Sequence, residues 1–197
     1  MAPEPTPSGG SRLRALVPVL LFALLILVFG VTLWKISSNK LDIHEIKSPL
    51  IGKRAPTFDL PSVDDPAVRV TNTDLSGRAY VVNVWGTWCP ECRAEHSSLL
   101  QIARIGGVPV IGIDWKDERS LAQRWLRELG NPYERVAADD DGRAVIDWGV
   151  YGAPETFLVG ADGVVLYKQV GAVSMSDWND KFLPLIRRGV ASAGGAP

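Results

Sequence analysis

Residues Ala79–His96 read AYVVNVWGTWCPECRAEH, and they contain the only two cysteines of the chain, Cys89 and Cys92. The first part, Ala79–Trp85, is a continuous apolar run with β-branched residues, the pattern of a buried strand. From Cys89 the pattern becomes helical and extends to about Ile105, with Pro90 suited to the first turn. A strand, a short turn and a helix therefore set two thiols three residues apart where the helix begins. A structural staple explains this spacing poorly. Chain entropy gives so small a loop roughly 2 kcal/mol, against about 3 for a 15-residue loop. A redox dithiol and half of a metal site are the readings that remain.

Working outward, Val108–Trp115 (VPVIGIDW) reads as a second buried strand. Glu118–Leu129 reads as a helix with Leu121, Trp125 and Leu129 on one face and Gly130 as its stop. Asn131–Tyr151 resists reading apart from a short helix around Arg143–Trp148. Thr156–Val159 and Val164–Val170 flank GADG, a hairpin signal. A last helix carries Trp178, Phe182 and Leu185, and Pro184 is expected to kink or break it. The stretch from Gly52 to Pro66 (GKRAPTFDLPSVDDP) reads mostly as loop. These elements predict an α/β sandwich around a small mixed sheet. Asp139–Gly142 (DDDG) lacks the alternating ligands and terminal Glu of a calcium loop and is expected to be a turn.

The 197 residues leave room for one domain and an appendage. Leu16–Trp34 (LVPVLLFALLILVFGVTLW) runs 19 residues without a charge, about 28 Å of helix and enough to cross a hydrocarbon core. Its length, and the lack of a cleavage pattern in KISSNK, favour an uncleaved signal anchor over a cleavable signal peptide. Lys and Arg flank it on both sides, so their count does not set the orientation. The short tail MAPEPTPSGGS favours a cytoplasmic stub, with the large domain exported to a compartment where disulfides persist. The expected organisation is a cytoplasmic tail at 1–15, the anchor at 16–34, a linker at 35–50, the exported domain at 51–188 and a flexible tail at 189–197. A net charge of −1 and a pI near 6.1 give no footprint for nucleic acid.

A cysteine at a helix N-terminus is acidified, because unpaired backbone N–H groups and the helix dipole favour the thiolate. Cys89 takes that position and is expected to be exposed. Cys92 follows one helical turn later on the same side. The pair suits an attacking and a resolving thiol. Haem attachment needs a His directly after the second cysteine, where this chain has Arg93. A structural zinc site needs four ligands, and only His44 and His96 accompany the thiols. A copper-binding trio of Cys89, Cys92 and His96 remains open, since thiolates suit Cu(I).

The segment VVNVWGTWCPECRAEH, together with GNPYERVAADDDGRAVIDWGVYGAPETFLVGADG downstream, closely resembles the membrane-anchored thioredoxin-like proteins of cytochrome c maturation, the DsbE/CcmG family. The likeness runs from about Ile51 to Arg188. It implies a thioredoxin fold, a periplasmic domain on an inner-membrane anchor, and reduction of a disulfide in an apocytochrome's CxxCH segment before haem attachment. Electrons would come from a membrane thiol carrier, and the redox pair would serve without a further cofactor or metal. A general periplasmic thiol–disulfide exchanger and a copper chaperone are the alternatives.

By the same resemblance Pro154, after Ala153, matches a cis-proline that presents backbone to substrate, and Glu95 matches an acid near the thiols. Glu95 lies one turn beyond Cys92, where it could raise thiol pKa values or accept a proton. Generic thioredoxins place their buried acid on the preceding strand, where this chain has Asn83, so Glu95 or Glu155 would have to substitute. Glu155 is expected on an acidic rim that selects substrate. Trp85 is expected to face inward, and Trp88 and Pro90 to lie at the substrate surface. Glu91, where the family usually has a neutral residue, would disfavour the Cys89 thiolate and make the pair a stronger reductant. His96 is expected at the surface or boundary.

Overall fold

The computed structural model describes residues 10–37, 48–105 and 107–193. Most of the predicted linker, with His44, and the first nine residues lie outside that range. The chain divides into two compact units, residues 1–43 and 44–197.

The first unit contains α1 (Gly10–Ser37). Its segment Leu16–Lys35 is long and apolar enough to cross a membrane. Leu, Val, Ile and Phe side chains are exposed all round it, which fits a single-pass anchor better than an amphipathic core helix.

In the second unit, β1 (Asp59–Pro61), within the stretch read as loop, and β2 (Arg69–Thr71), just beyond it, form an antiparallel hairpin. Then come β3 (Tyr80–Trp85), α2 (Pro90–Ile105), β4 (Val110–Trp115), α3 (Arg119–Leu129), β5 (Arg135–Asp139), α4 (Arg143–Asp147), β6 (Glu155–Val159) and β7 (Val165–Val170). The main sheet has the order β5-β4-β3-β6-β7. Strands β3, β4 and β5 are parallel neighbours, while β6 pairs antiparallel with both β3 and β7. This is the mixed sheet expected of a thioredoxin-like α/β fold.

β3 is central, and all six of its residues are buried. Its alternation divides them between two cores. Val81 and Trp85 join Leu99 and Ile102 of α2 and Trp125 of α3 on one face. Val82 and Val84 join Ile111, Ile113, Trp148 and Phe157 on the other. Asn83 falls by the same alternation on the face covered by α2.

Three readings change. β5 was not anticipated, because RVAAD is short and poor in strand-forming side chains. The buried face of α3 is Ala122, Trp125 and Leu126, and Leu121 is exposed. DDDG is the expected turn, and Asp139, which ends β5 buried, accepts the Val145 N–H at 2.9 Å and so ties that turn to α4. At the C-terminus, α5 (Met175–Asp177) passes through a π-helical turn (Trp178–Phe182) into α6 (Leu183–Ala193). The wider turn accommodates Pro184, whose missing N–H would otherwise break the ladder. Helix α6 therefore enters the predicted tail as far as Ala193; residues 194–197 are outside the described range.

Phe157 is fully buried with its ring 5.0 Å from Trp148, edge to face. Phe157→Ala is expected to cost about 3–5 kcal/mol, read as a lower urea midpoint for the detergent-solubilised chain.

Candidate active site

β3 ends at Trp85, and the turn Gly86–Trp88 delivers Cys89 to the start of α2. Asp117 holds that turn, accepting from the Thr87 backbone N–H and, at 2.8 Å, from its hydroxyl. Trp88 donates its indole N–H to the Trp115 carbonyl at 3.0 Å and packs edge-on against that ring. It remains 50% exposed, a large aromatic surface beside the thiols.

Cys89 and Cys92 are joined as a disulfide with their Cα atoms 5.3 Å apart. The Cys92 backbone N–H donates to Cys89 Sγ at 3.0 Å. A free N–H of the first helical turn therefore points at the sulfur that would carry negative charge after reduction. Cys89 Sγ also lies 3.3 Å from the Ala153 carbonyl oxygen, and the Ala153–Pro154 bond is cis. Cys89 is only 3% exposed, which corrects the expectation of an open thiol: Ala153 packs against the cluster to which both sulfurs belong. Pro90 and Glu91 are exposed at the rim, Ala153 is half-buried and Pro154 is buried.

Glu95 lies one turn beyond Cys92 and is 2% exposed. Oε1 accepts from Asn83 Nδ2 at 2.9 Å, and Oε2 accepts from the Val173 backbone N–H at 2.7 Å. Burial dominates and raises its pKa from 4.5 to about 7, against the lowering effect of both hydrogen bonds; the charge of Glu91 raises it further. Asn83 thus stands where a generic thioredoxin has its acid and donates to an acid supplied by the helix instead.

Glu155 requires the larger correction. It is fully buried, and its strand alternation puts it on the sheet face opposite Glu95, so it is no rim residue. Lys168 of β7 lies 2.7 Å from Oε2 and donates to the Gly149 carbonyl at 2.9 Å. Its ammonium also sits 4.9 Å from the Tyr151 ring centroid. Burial raises the Glu155 pKa and Lys168 opposes it. The pair braces the Gly149–Ala153 loop from below. Sequence reasoning missed Lys168, although a lysine inside the apolar run VLYKQV was a signal.

His96 is also buried rather than at the surface. Its Nδ1 accepts from the Trp125 indole N–H at 3.2 Å, so Nε2 carries the proton given to the Gly130 carbonyl at 3.0 Å. Burial lowers its pKa. Both ring nitrogens are engaged away from the sulfurs, which leaves the copper reading without its third ligand. On the neighbouring strand end, Asp114 is buried opposite Trp85 and raised to about 8, by burial first and then by the charges of Asp117 and Asp140.

The redoxin family matches residues 50–181. A solved thioredoxin-family thiol:disulfide interchange protein from Chlorobium tepidum has a TM-score of 0.58 at 26% identity, covering 73% of this chain and 99% of that one. With the sheet order and the Cys-X-X-Cys disulfide, these place the chain among the thioredoxin-like thiol–disulfide oxidoreductases. The chain is 44% identical over 180 residues to the thiol:disulfide interchange protein DsbE of Allochromatium vinosum, covering 90% of this chain and 95% of that protein. It is 45% identical over 177 residues to DsbE of Pseudomonas aeruginosa, covering 90% and 94%. The chain belongs to the DsbE family.

The folded chain holds a proton on Glu95 up to about pH 7, whereas the free carboxyl loses it near 4.5. Between those values the folded state binds more protons, so stability falls as pH rises. Urea unfolding at pH 5 and pH 8 is expected to show a smaller fall for Glu95→Gln than for the parent, by on the order of 3 kcal/mol. Asp114, Glu155 and Asp139, also raised, leave a residual slope of the same sign.

Lys168→Met leaves the Glu155 carboxylate buried without its counter-charge and is expected to cost about 3–5 kcal/mol. Adding Glu155→Leu removes the uncompensated charge, and most of that loss should return in the same unfolding measurement.

Proposed function

We propose that this chain is a periplasmic reductant, held by residues 16–34 in a bacterial inner membrane, that opens disulfides in the CxxCH segment of apocytochrome c before haem attachment. The observation that carries thiol–disulfide exchange is the arrangement around Cys89. Its sulfur accepts the Cys92 N–H, faces the backbone before a cis-proline, and has a buried carboxyl of raised pKa one turn behind its partner. The reductive direction is supported by Glu91, whose charge disfavours the Cys89 thiolate, and with the client and the compartment it rests on the resemblance of GVYGAPETF and its flanks to the cytochrome c maturation proteins.

In the reduced chain, the Cys89 thiolate attacks one sulfur of the substrate disulfide. A mixed disulfide forms and the other substrate sulfur leaves as a thiolate. The Cys92 thiol then loses its proton to ionised Glu95, and its sulfur attacks Cys89 Sγ. The second substrate thiolate leaves, and the Cys89–Cys92 disulfide remains. Two electrons have passed to the substrate, and a membrane thiol carrier returns two to the pair. The backbone at Ala153, beside Cys89, and the exposed face of Trp88 receive the substrate backbone and side chains.

The test uses Cys92→Ser, which cannot resolve the mixed disulfide. An oxidised CxxCH peptide is expected to accumulate on Cys89 at least 10-fold faster than a disulfide peptide of other sequence, read by gel shift. Equal rates would favour a general exchanger. The parent pair, equilibrated with dithiothreitol, is expected near the thioredoxin potential of about −270 mV. A value near the DsbA potential of about −120 mV would make the chain a disulfide donor and end the reductive reading.

A further inference from the structure

Tyr133 lies 41 residues beyond Cys92 in the chain, yet its hydroxyl ends beneath the redox pair's helix. Asn131 Oδ1 accepts the Tyr133 N–H at 2.9 Å, turning the NPY segment inward just before β5. The ring stacks on Trp85 with centroids 5.5 Å apart. It fills space above Gly112, where a Cβ would meet the Tyr133 ring at 3.0 Å and Trp85 Nε1 at 2.9 Å. Gly112 is the β4 partner of Asn83. The hydroxyl thereby reaches Asn83 and donates to its Oδ1 at 2.8 Å.

An asparagine amide has an accepting end and a donating end of almost equal shape. A hydroxyl that donates to Oδ1 favours the orientation in which the oxygen end faces Tyr133. Burial, followed by the charges of Glu95 and Asp114, raises the Tyr133 pKa well above its ordinary value, so the hydroxyl keeps its proton throughout the working range. With Oδ1 engaged by the hydroxyl, Nδ2 faces Glu95 Oε1 at 2.9 Å and Thr156 Oγ1 at 3.0 Å.

We infer that Tyr133 is a positioning residue for the proton-transfer step, holding the Asn83 amide so that a donor rather than an acceptor faces Glu95. The inference rests on the proposed role of Glu95 as proton acceptor. Without the hydroxyl the amide is free to turn its oxygen toward the carboxylate. The ionised form then loses a hydrogen bond and gains a repulsive neighbour, and both effects raise the carboxyl pKa. The groups facing Glu95 are few. Glu91 and Cys92 lie on its own helix, Asn83 on β3, Thr156 on β6, and the Val173 N–H beyond β7, with Tyr133 behind Asn83. Of these, Glu91 carries a charge at neutral pH, and it also opposes ionisation.

The experiment follows the Glu95 carboxyl by carbon-13 NMR titration in the full chain in micelles. It also follows the rate of mixed-disulfide resolution from pH 5 to pH 9. The parent is expected to titrate, and its resolution rate to rise, near pH 7. Tyr133→Phe keeps the ring and is expected to move both up by about one pH unit, slowing resolution several-fold at pH 7 with recovery at pH 9. Asn83→Ala is expected to give a similar upward move, and the double variant no further one, because Tyr133 acts through Asn83.

A Tyr133→Phe titration superimposable on the parent overturns the inference, as does an additive shift in the double variant. Glu95→Gln separates the two levels of the argument. If it abolishes the pH step while Tyr133→Phe leaves the step unmoved, the inference alone fails. If the step survives Glu95→Gln, the proton-acceptor reading fails and the inference with it. Should Tyr133→Phe fold poorly, Asn83→Ala alone decides: an unchanged Glu95 titration removes the link through which Tyr133 acts.

Discussion

Asn83 donates to Glu95 where the central strand faces the helix that begins at the cysteines, and the reactive end is organised around that contact. A carboxyl so deeply buried would, without partners, be strongly driven to the neutral form. Two donors, from Asn83 and Val173, offset part of that penalty and leave the group titrating near neutrality. The result is an acid that can change protonation state near neutral pH, one helical turn beyond Cys92. A fully solvated glutamate would be ionised throughout and a wholly unpartnered one would stay neutral, so intermediate satisfaction suits proton exchange. The arrangement also ties β3, α2 and the segment after β7 together around one charge.

The two glutamates show how environment assigns different work to the same side chain. Glu95 has neutral donors and no cation among its hydrogen-bond partners; Glu155 has an ammonium at ion-pair distance, itself buried. The first is placed for chemistry. The second, neutralised by Lys168, adds little field at the sulfurs and instead holds the loop that presents Ala153 and Pro154. They lie on opposite faces of one sheet, so the loop is braced from one side while Glu95 sits on the other. At the sulfurs themselves, a backbone N–H of the first turn of α2 reaches Cys89, the position at which the helix dipole stabilises negative charge.

Local pattern made the strand–turn–helix around the cysteines legible, because an apolar β-branched run and a proline in a first turn are short-range signals. It also exposed the hairpin around GADG and the apolar segment near the N-terminus. The β5 strand was hidden: RVAAD carries two alanines and an acid, and becomes a strand by pairing with β4. The face of α3 was misjudged because Leu121 and Trp125 share helical spacing, yet the buried side turns toward Ala122 and Leu126. Pro184 suggested a break, and a π-helical turn absorbed it.

The sequence by itself determined the chemistry: two thiols at a helix N-terminus, a following glutamate, and a loop ending in Ala-Pro-Glu. Each depends on residues near one another in the chain. Only the tertiary structure decided which of these groups are charged, covered or reachable, since burial depends on contacts across long separations. Tyr133 meets Asn83 across 50 residues, Glu95 meets Val173 across 78, and Cys89 meets Ala153 across 64. Desolvation is a property of everything that surrounds a group, so the burial that raises the Glu95 pKa arises only once the sheet and its helices close around it.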